Sequence, residues 1–395
     1  MRTIGTRAMG IRAPIIKEGD DLAQIVTDSL LAASQEEGIA FHDMDVVGVT
    51  EAVVARAQGN YATVSDIAAC VRSHFPSGTV GVVFPILSRN RFAILLRGIA
   101  RGADRIVVQL SYPADEVGNE VVGKDAVFDA GLNPYSDALD EAAFHKLFGP
   151  EVRHRFTGVD YVTYYESLED NIQVILCNDP REITKYTKQV IAADIHTRAY
   201  TKRTLAASGC EKVLGLDDLM TEPVGESGYN EQFGLLGSNK ATEERVKLFP
   251  RNCQAFVEDV QQRLLAATGK RIEVMVYGDG GFKDPVGGIW ELADPVVSPG
   301  HTAGLVGTPN ELKLKFLADN DYADLSGEAL QEALKGAIRR KDAEKASLVG
   351  SMAAQGTTPR QLTDLLGSLC DLTSGSGDKG TPIILIQGYF DNYAS

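Results

Sequence analysis

Residues 13–26, Ala-Pro-Ile-Ile-Lys-Glu-Gly-Asp-Asp-Leu-Ala-Gln-Ile-Val, predict a short apolar strand that turns directly into an amphipathic helix. The apolar run ends at Lys17-Glu18-Gly19, and Asp21 and Gln24 have the spacing of an N-terminal capping box. The following apolar positions share one helical face: Leu22, Ile25, Val26 and Leu30. Such a turn presents backbone N–H groups beside a lysine, a suitable place for an anion. Because every helix has an N-terminus, this turn alone does not establish an anion-binding site, and other segments must support that interpretation.

The composition indicates a large cytoplasmic protein. The chain has 395 residues, enough for two or more domains, and 44% of them are hydrophobic. No apolar run is long enough to cross a bilayer, and residues 1–7 lack the apolar core of a signal peptide. The five cysteines are scattered without a CxxC pair, which favours reduced thiols over disulfides or a zinc site. We therefore expect no membrane partner.

The charge favours small-molecule substrates. A net charge of −15 argues against a nucleic-acid surface, since neutralising phosphates requires clustered Lys and Arg. The sequence contains no Walker A motif, GxGxxG or Gly-x-Ser-x-Gly elbow, and its six histidines lack metal-ligand spacing. An acidic protein that handles anionic substrates needs a local basic pocket, and a divalent cation would also help.

The order of elements predicts an α/β (mixed α+β) fold. Residues 46–54 indicate a buried strand that runs into a turn, and residues 79–110 indicate a strand, a helix and a strand. Asp179-Pro180-Arg181-Glu182 combines a helix cap with proline at the first helical position. We predict a helix from there towards Gly209, because apolar residues recur at helical spacing.

Three later segments carry further patterns that must be considered together with the turn at residues 17–19. Residues 233–239, Phe-Gly-Leu-Leu-Gly-Ser-Asn, form a glycine-containing loop. A predicted helix over 254–268 leads through Gly-Lys-Arg into a strand over 272–277. A glycine-rich loop at 374–382 precedes a last predicted strand. In this order, the four segments resemble the coenzyme F-420 γ-glutamyl ligases, which join glutamate to a deazaflavin cofactor precursor at the expense of GTP.

The resemblance covers residues 10–60, 229–290 and 360–388. It implies a discontinuous ligase-like core formed by residues 1–74 and 226–395. Residues 75–225 have no counterpart in the short ligases, so we predict that they form an inserted α/β domain. Because the ligases are dimeric, the resemblance also implies a homodimer.

Glutamate ligation sets clear chemical demands. A carboxylate is a poor electrophile, so a nucleotide first phosphorylates it to an acyl phosphate, which the amine of glutamate attacks. Such phosphoryl transfer requires positioning and charge neutralisation. The resemblance therefore implies GTP or ATP as co-substrate and Mg²⁺ or Mn²⁺ as cofactor. It implies nucleotide contacts at Ala13, Pro14, Ile15, Ile16, Thr50, Glu51, Arg56 (where the family has lysine) and Asn239.

Several of these features have a structural alternative. Lys17 and Glu18 also fit an ordinary solvated pair, and Arg56 also fits a surface cation. Asn239 also fits a cap for the element that follows it. The glycine-rich residues 375–380 also fit a flexible loop.

The acidic positions of the family are changed. Leu236 stands where the family has a metal-binding acid, Tyr277-Gly278-Asp279 replaces a Thr-Asp-Thr loop, and Ser376 replaces a glutamate. Three carboxylates stand near the lost positions and are candidate metal ligands: Asp279, Asp378 and Asp284. Either the metal site has been rebuilt, or this branch has lost ligase chemistry.

The leading hypothesis is a ligase that adds L-glutamate or a similar amino acid to an acceptor carboxylate. The cofactor precursor is the nominal acceptor, and a folate is the alternative. The rival from another class is a non-catalytic protein that keeps a nucleotide pocket. Leu236 and Ser376 favour the rival, whereas Asp279 and Asp378 favour the enzyme if they converge.

Overall fold

A computed structural model describes residues 3–155, 157–278, 281–283, 290–292, 298–354, 360–374 and 378–394, with the backbone alone for 281–283 and 290–292. Its strands are β1 (Arg7–Ile11), β2 (Val46–Thr50), β3 (Tyr61–Thr63), β4 (Thr79–Val83), β5 (Arg105–Leu110), β6 (Leu139–Asp140), β7 (Ile172–Leu176), β8 (Gln189–Ala192), β9 (Lys212–Gly215), β10 (Asn239–Thr242), β11 (Arg245–Lys247), β12 (Glu273–Tyr277), β13 (Gly281–Lys283), β14 (Trp290–Leu292), β15 (Gly300–His301) and β16 (Ile383–Gln387). Its α-helices are α1 (Leu22–Glu37), α2 (Glu51–Ala57), α3 (Val64–His74), α4 (Phe92–Arg101), α5 (Lys124–Asp129), α6 (Glu141–Phe148), α7 (Tyr161–Glu166), α8 (Arg198–Ala207), α9 (Cys253–Thr268), α10 (Leu314–Asp319), α11 (Gly327–Glu344) and α12 (Leu362–Ser374). The predicted α/β class is confirmed.

The first large sheet joins the two ends of the chain. Its strand order is β1-β16-β2-β12-β15, with β2 and β12 parallel and the other pairs antiparallel. One face packs against α1 and α9, and the other packs against α12. Apolar side chains alternate between the two faces along β2, where Val47 and Val49 contact the first face and Val46 contacts the second.

The second large sheet lies between the two parts of the first in the sequence. Its order is β6-β7-β5-β4-β8-β9, and all pairs except β6–β7 are parallel. From β4 the chain continues outward through β5 to β7, and it then returns to place β8 on the other side of β4. The direction of strand addition therefore reverses between β4 and β8, which creates a crevice at the carboxyl ends of these strands.

Helix α3, which the sequence assigns to the ligase-like core, packs closely against α4. A Cβ atom added to Gly98 would lie 2.6 Å from Cγ2 of Ile67, and one added to Gly102 would lie 2.6 Å from the carbonyl oxygen of Ala68. Because two glycines allow this approach, the helices share one apolar cluster with the second sheet. The domain boundary at residue 74 stays a prediction.

The predicted long helix towards Gly209 is wrong. Asp179 caps only a short 3-10 helix, Pro180–Lys185, and the chain then forms β8 and, after a loop, α8. Val190 and Ile191 are fully buried on β8, between β4 and β9. The sequence of a strand that is buried on both faces of a parallel sheet is a continuous apolar run, and such a run can also show helical spacing. Burial in the sheet therefore decides the conformation of these β-branched residues.

The predicted strand over residues 13–16 is also wrong, because the strand lies earlier, at β1. Pro14 lacks an N–H group for a sheet ladder, and the N–H of Ala13 donates to the carbonyl oxygen of Gly380 at 3.2 Å. Ile16 is buried, whereas the side chain of Ile15 is 78% exposed. In the part of the chain that the structure describes, no helix is long and apolar enough to cross a membrane.

Candidate active site

A cavity of about 730 Å³ opens where β2 ends and α2 begins. We call it the β2–α2 cavity, and its walls come from both ends of the chain. Its lining residues are Ala13, Pro14, Ile15, Ile16, Thr50, Ala52, Val53, Arg56, Asp371, Leu372, Ser374, Gly380, Thr381 and Pro382. The N–H of Thr50 donates to the carbonyl oxygen of Pro382 at 3.0 Å, which fixes α2 beside the C-terminal loop.

The turn before α1 has the predicted Asp21 cap but not the reciprocal bond of a capping box, because the side-chain amide of Gln24 donates to Asp28 at 2.8 Å. A carboxylate oxygen of Asp21 accepts from the N–H of Gln24 at 3.0 Å, and this bond, the largest cause, lowers the pKa of Asp21. Arg263 contacts the other Asp21 oxygen at 3.1 Å and the side-chain oxygen of Gln24 at 2.8 Å. The N–H of Gly19 donates to the carbonyl oxygen of Ala57 at 2.8 Å, so the turn is fixed against the end of α2.

Six of the eight predicted nucleotide contacts line the β2–α2 cavity: Ala13, Pro14, Ile15, Ile16, Thr50 and Arg56. Arg56 lies near the end of α2 and is exposed. Within the described residues, its guanidinium makes no hydrogen bond or ion pair. The cavity of this acidic protein therefore carries a permanent, available positive charge.

The other two predicted contacts, Glu51 and Asn239, do not line this cavity. The carboxylate of Glu51 is 3.3 Å from Nζ of Lys247, and both side chains are largely buried. Asn239 faces Lys247 as its partner in the β10–β11 ladder. Glu51 therefore pairs with Lys247, and Asn239 lies on the strand next to that lysine.

Three polar lining residues were missed by sequence reasoning. Asp371 and Ser374 lie at the end of α12, and Thr381 lies in the loop before β16. The hydroxyl group of Thr381 donates to the carbonyl oxygen of Ser374, which joins the helix end to the loop. The one signal in the sequence is their place on either side of the glycine-rich segment.

The predicted metal ligands have different outcomes. Asp279 and Asp284 lie outside the described residues. Asp378 is exposed and does not line the cavity, although Gly380 does. Within the described ranges, no group of three or more His, Cys, Asp and Glu side chains is placed to hold a metal ion.

The oxygen atoms of the cavity nevertheless suit a hard cation. Asp371, Thr50, Ser374 and Thr381, which carry a carboxylate and three hydroxyl groups, are among the residues that line one cavity. Mg²⁺ takes oxygen ligands and commonly uses one or two carboxylates together with water and phosphate oxygens. This set therefore fits a divalent cation that arrives with a phosphate group.

Tyr277 adds a neutral donor behind the cavity. The residue ends β12 and is almost fully buried, and its hydroxyl group lies beside the side chains of Ser374 and Thr50. Burial raises the pKa of Tyr277 well above its usual value. The hydroxyl group therefore stays protonated, and it is buried without a hydrogen-bond partner among the described residues.

Comparison with known families identifies the family of the chain. The family described as F420-0:Gamma-glutamyl ligase matches residues 10–388. The chain belongs to this ligase family. The match continues through residues 75–225, for which the sequence resemblance offered no counterpart. A search among curated proteins found no match.

Proposed function

We propose that the protein is a nucleotide- and metal-dependent ligase that joins L-glutamate, or a similar amino acid, to an acceptor carboxylate. The observation that carries this proposal is the β2–α2 cavity, which six of the implied nucleotide contacts line. Membership of the F-420-0 γ-glutamyl ligase family supports the reaction class. The nominal acceptor is the deazaflavin cofactor precursor.

The nucleotide would occupy the β2–α2 cavity. Its volume of about 730 Å³ is within the usual range of small-molecule sites. The segment 13–16 would contact the nucleotide through its backbone, and Arg56 would bind the phosphates through its planar set of donors. GTP and ATP are both compatible with these contacts.

The metal would lie at the polar end of the cavity. Asp371 would hold Mg²⁺ or Mn²⁺ together with oxygen atoms of Thr50 and Ser374, and Asp279 remains a candidate from the sequence. When bound, the cation neutralises phosphate charge.

The reaction would proceed in two transfers. The acceptor carboxylate attacks the terminal phosphorus, which gives an acyl phosphate and a nucleoside diphosphate. The amine of glutamate then attacks the acyl carbon, which forms the amide and releases phosphate. The contribution of this chain would be to hold the phosphates on Arg56 in the β2–α2 cavity, because phosphoryl transfer depends on positioning.

One observation favours a second candidate, a non-catalytic nucleotide-binding protein. Leu236, which stands at the position of an acidic metal ligand in the family, is buried in an apolar environment. No acidic cluster suited to a metal occurs in the described ranges. A folate-type γ-glutamyl ligase is the alternative within the enzyme class, since the acceptor pocket is not assigned.

The test is a ligation assay with labelled L-glutamate, Mg²⁺, GTP or ATP, and either F-420-0 or a folate as acceptor. We expect an amide product and nucleoside diphosphate in equal amounts, and a chelator should abolish both. Binding of nucleotide without diphosphate release would support the non-catalytic candidate. If nucleotide is neither bound nor hydrolysed with any acceptor, both candidates are wrong.

A further inference from the structure

A further cavity, of about 860 Å³, is lined by residues of α4, α7, the loop after β4 and the β10–β11 hairpin. We call it the α4–α7 cavity. Its volume is within the usual range of small-molecule sites. It shares no lining residue with the β2–α2 cavity, and the proposed ligase reaction uses none of the residues that line it.

The lining of the α4–α7 cavity is positively charged, although the chain carries a net charge of −15. Three cations line it, namely Arg89, Arg97 and Lys240, and Glu243 is the one acid among its lining residues that the structure describes. Three positive charges and one negative charge leave an excess of two positive charges. A local excess of this kind attracts anions to a concave surface.

Main-chain contacts bring the three cations to one part of the cavity. The N–H of Lys240 donates to the carbonyl oxygen of Asn90 at 2.8 Å, which places the lysine next to the segment that carries Arg89. The guanidinium of Arg97 donates to the carbonyl oxygen of Glu243 at 2.9 Å, which holds the hairpin turn against α4. The cations therefore lie around the junction of the loop after β4, α4 and the hairpin.

The three cations differ in how firmly their partners hold them. Arg97 pairs with Glu244 at 2.6 Å. Lys240 pairs with Glu243, whose side chain is 78% exposed, and so exposed a pair contributes little to stability. The guanidinium of Arg89 is exposed and makes no ion pair with a described residue. Arg89 is therefore available to an anion, and Lys240 can exchange its carboxylate partner for one.

Two tyrosines of α7 line the same cavity. The ring of Tyr161 packs on that of Tyr165, with 5.5 Å between centroids, and Tyr164 is less deeply buried. The hydroxyl group of Tyr165 accepts from the N–H of Ser88 at 2.9 Å, which joins α7 to the loop after β4. Burial raises the pKa of Tyr161 and the charge of Arg89 opposes that shift, so Arg89 lies within electrostatic reach of this aromatic wall.

We propose that the α4–α7 cavity binds a small phosphate monoester with a planar apolar body. The phosphate group contacts Arg89 and Lys240, and the planar body packs against the ring of Tyr164. A phosphate monoester carries close to two negative charges at neutral pH and so offsets the excess of two positive charges, whereas a carboxylate offsets one. This site does not depend on the proposed ligase function.

Three probes separate the parts of this proposal at about pH 8, where a phosphate monoester is a dianion. Phenyl phosphate carries the ring and both charges, phenyl sulfate keeps the ring with a single charge, and inorganic phosphate lacks the ring. In calorimetric titrations of the full chain, phenyl phosphate should bind most tightly. We expect an advantage of about three- to fivefold over phenyl sulfate and about two- to tenfold over inorganic phosphate.

Charge variants test the anion contacts. Arg89→Gln and Lys240→Gln should each weaken the binding of phenyl phosphate about three- to fivefold. Glu243→Gln should strengthen it about two- to threefold, because it removes the carboxylate that competes for Lys240. A purely structural role of this exposed turn would not produce such a gain. Lys124→Gln, which removes an exposed cation on α5 outside the cavity, should bind as the wild type does.

A pair of variants tests the aromatic contact. Tyr164→Leu keeps an apolar side chain without the ring, so it should remove the preference for phenyl phosphate over inorganic phosphate. Its affinity for inorganic phosphate should not change, because the cations remain. Tyr164→Phe keeps the ring and should retain the preference.

Arg56→Ala identifies which cavity is occupied, because Arg56 lines the β2–α2 cavity alone. We expect this variant to bind phenyl phosphate as the wild type does. Loss of binding in Arg56→Ala, with full binding in Arg89→Gln and Lys240→Gln, would overturn the proposal. The absence of binding of all three probes to the wild type at about 10 mM would also overturn it. Arg89 and Lys240 are exposed, so their variants should fold.

Discussion

The backbone N–H of Thr50 donates to the carbonyl oxygen of Pro382 at 3.0 Å, and this bond joins the end of β2 to the loop before β16. Ala13 makes the matching bond to Gly380 at 3.2 Å. Through these two contacts, the N-terminal turn and the C-terminal loop form one cavity. The candidate site therefore exists only when both ends of the chain have folded together.

Asp371 is the carboxylate that the structure places in the β2–α2 cavity. We expect Asp371→Asn to weaken Mg²⁺-dependent nucleotide binding at least tenfold, about 1.4 kcal/mol. Binding without metal should change little. The measurement is calorimetry at several Mg²⁺ concentrations. Asp378→Asn is the matched control, because Asp378 is exposed and outside the lining. If only Asp378→Asn alters the metal dependence, the sequence-based assignment holds instead.

Glu166 makes the stability of the protein depend on pH. Burial, and then its contact with Glu141, raise the pKa of Glu166 from 4.5 to about 7. The folded protein thus holds this proton more tightly than the unfolded chain, so the contribution to stability falls as pH rises through this window. Between about pH 5 and pH 8, the free energy of unfolding of the wild type should fall by about 1 kcal/mol relative to Glu166→Gln, after allowance for solvent screening.

Urea denaturation of both proteins at the two pH values measures this difference. Glu37→Gln removes an exposed carboxylate at the end of α1 and serves as the control. A stability difference between wild type and Glu166→Gln that is constant with pH, or that moves in the opposite direction, would contradict the assignment.

Limited proteolysis tests the proposed insert. We expect the first cuts within residues 72–78 or 225–230, where Ser77 and Glu226 are exposed in loops. Residues 255–278 should be cut later, because they form α9 and the buried strand β12. Mass spectrometry of the early fragments gives the order. First cleavage inside α9 or β12 would count against the boundary.

We also expect a homodimer, as the resemblance to the dimeric ligases implies. Sedimentation velocity over a series of micromolar concentrations measures the mass directly. A single species at the 42.5 kDa of one chain throughout the series would show that this expectation is wrong.

Local signals in the sequence predicted much of the site. The Asp21 cap and the buried strand that ends in a turn depend on neighbouring residues, so a short segment is enough to recognise them. The same is true of the glycine-rich loop, which leads into β16 as predicted. Helix α2, which begins at Glu51, was not predicted, and the role of Arg56 follows from the family resemblance and not from a local pattern.

Tertiary packing decided what the sequence did not show. Asp371 reaches the cavity because α12 lies close to β2, where a Cβ added to Gly48 would be 2.4 Å from Sγ of Cys370. No local pattern encodes that approach. Val190 and Ile191 have helical spacing, but the neighbouring strands of a sheet decide their conformation. The apolar cavity lined by Phe92, Leu95 and Leu216 likewise depends on strand order, which a single sequence does not reveal.

Calorimetric titration of GTP and ATP, with and without Mg²⁺, tests the central claim most directly, namely that the β2–α2 cavity binds a nucleotide through Arg56. We expect the wild type to bind one of the two nucleotides in a Mg²⁺-dependent manner. Arg56→Ala should weaken that binding by about 1.5–3 kcal/mol, the loss of one charged hydrogen bond. Lys124→Ala, which removes a distant exposed cation, should bind as the wild type does. Failure of the wild type to bind either nucleotide under any metal condition, or equal binding by Arg56→Ala, would contradict the account.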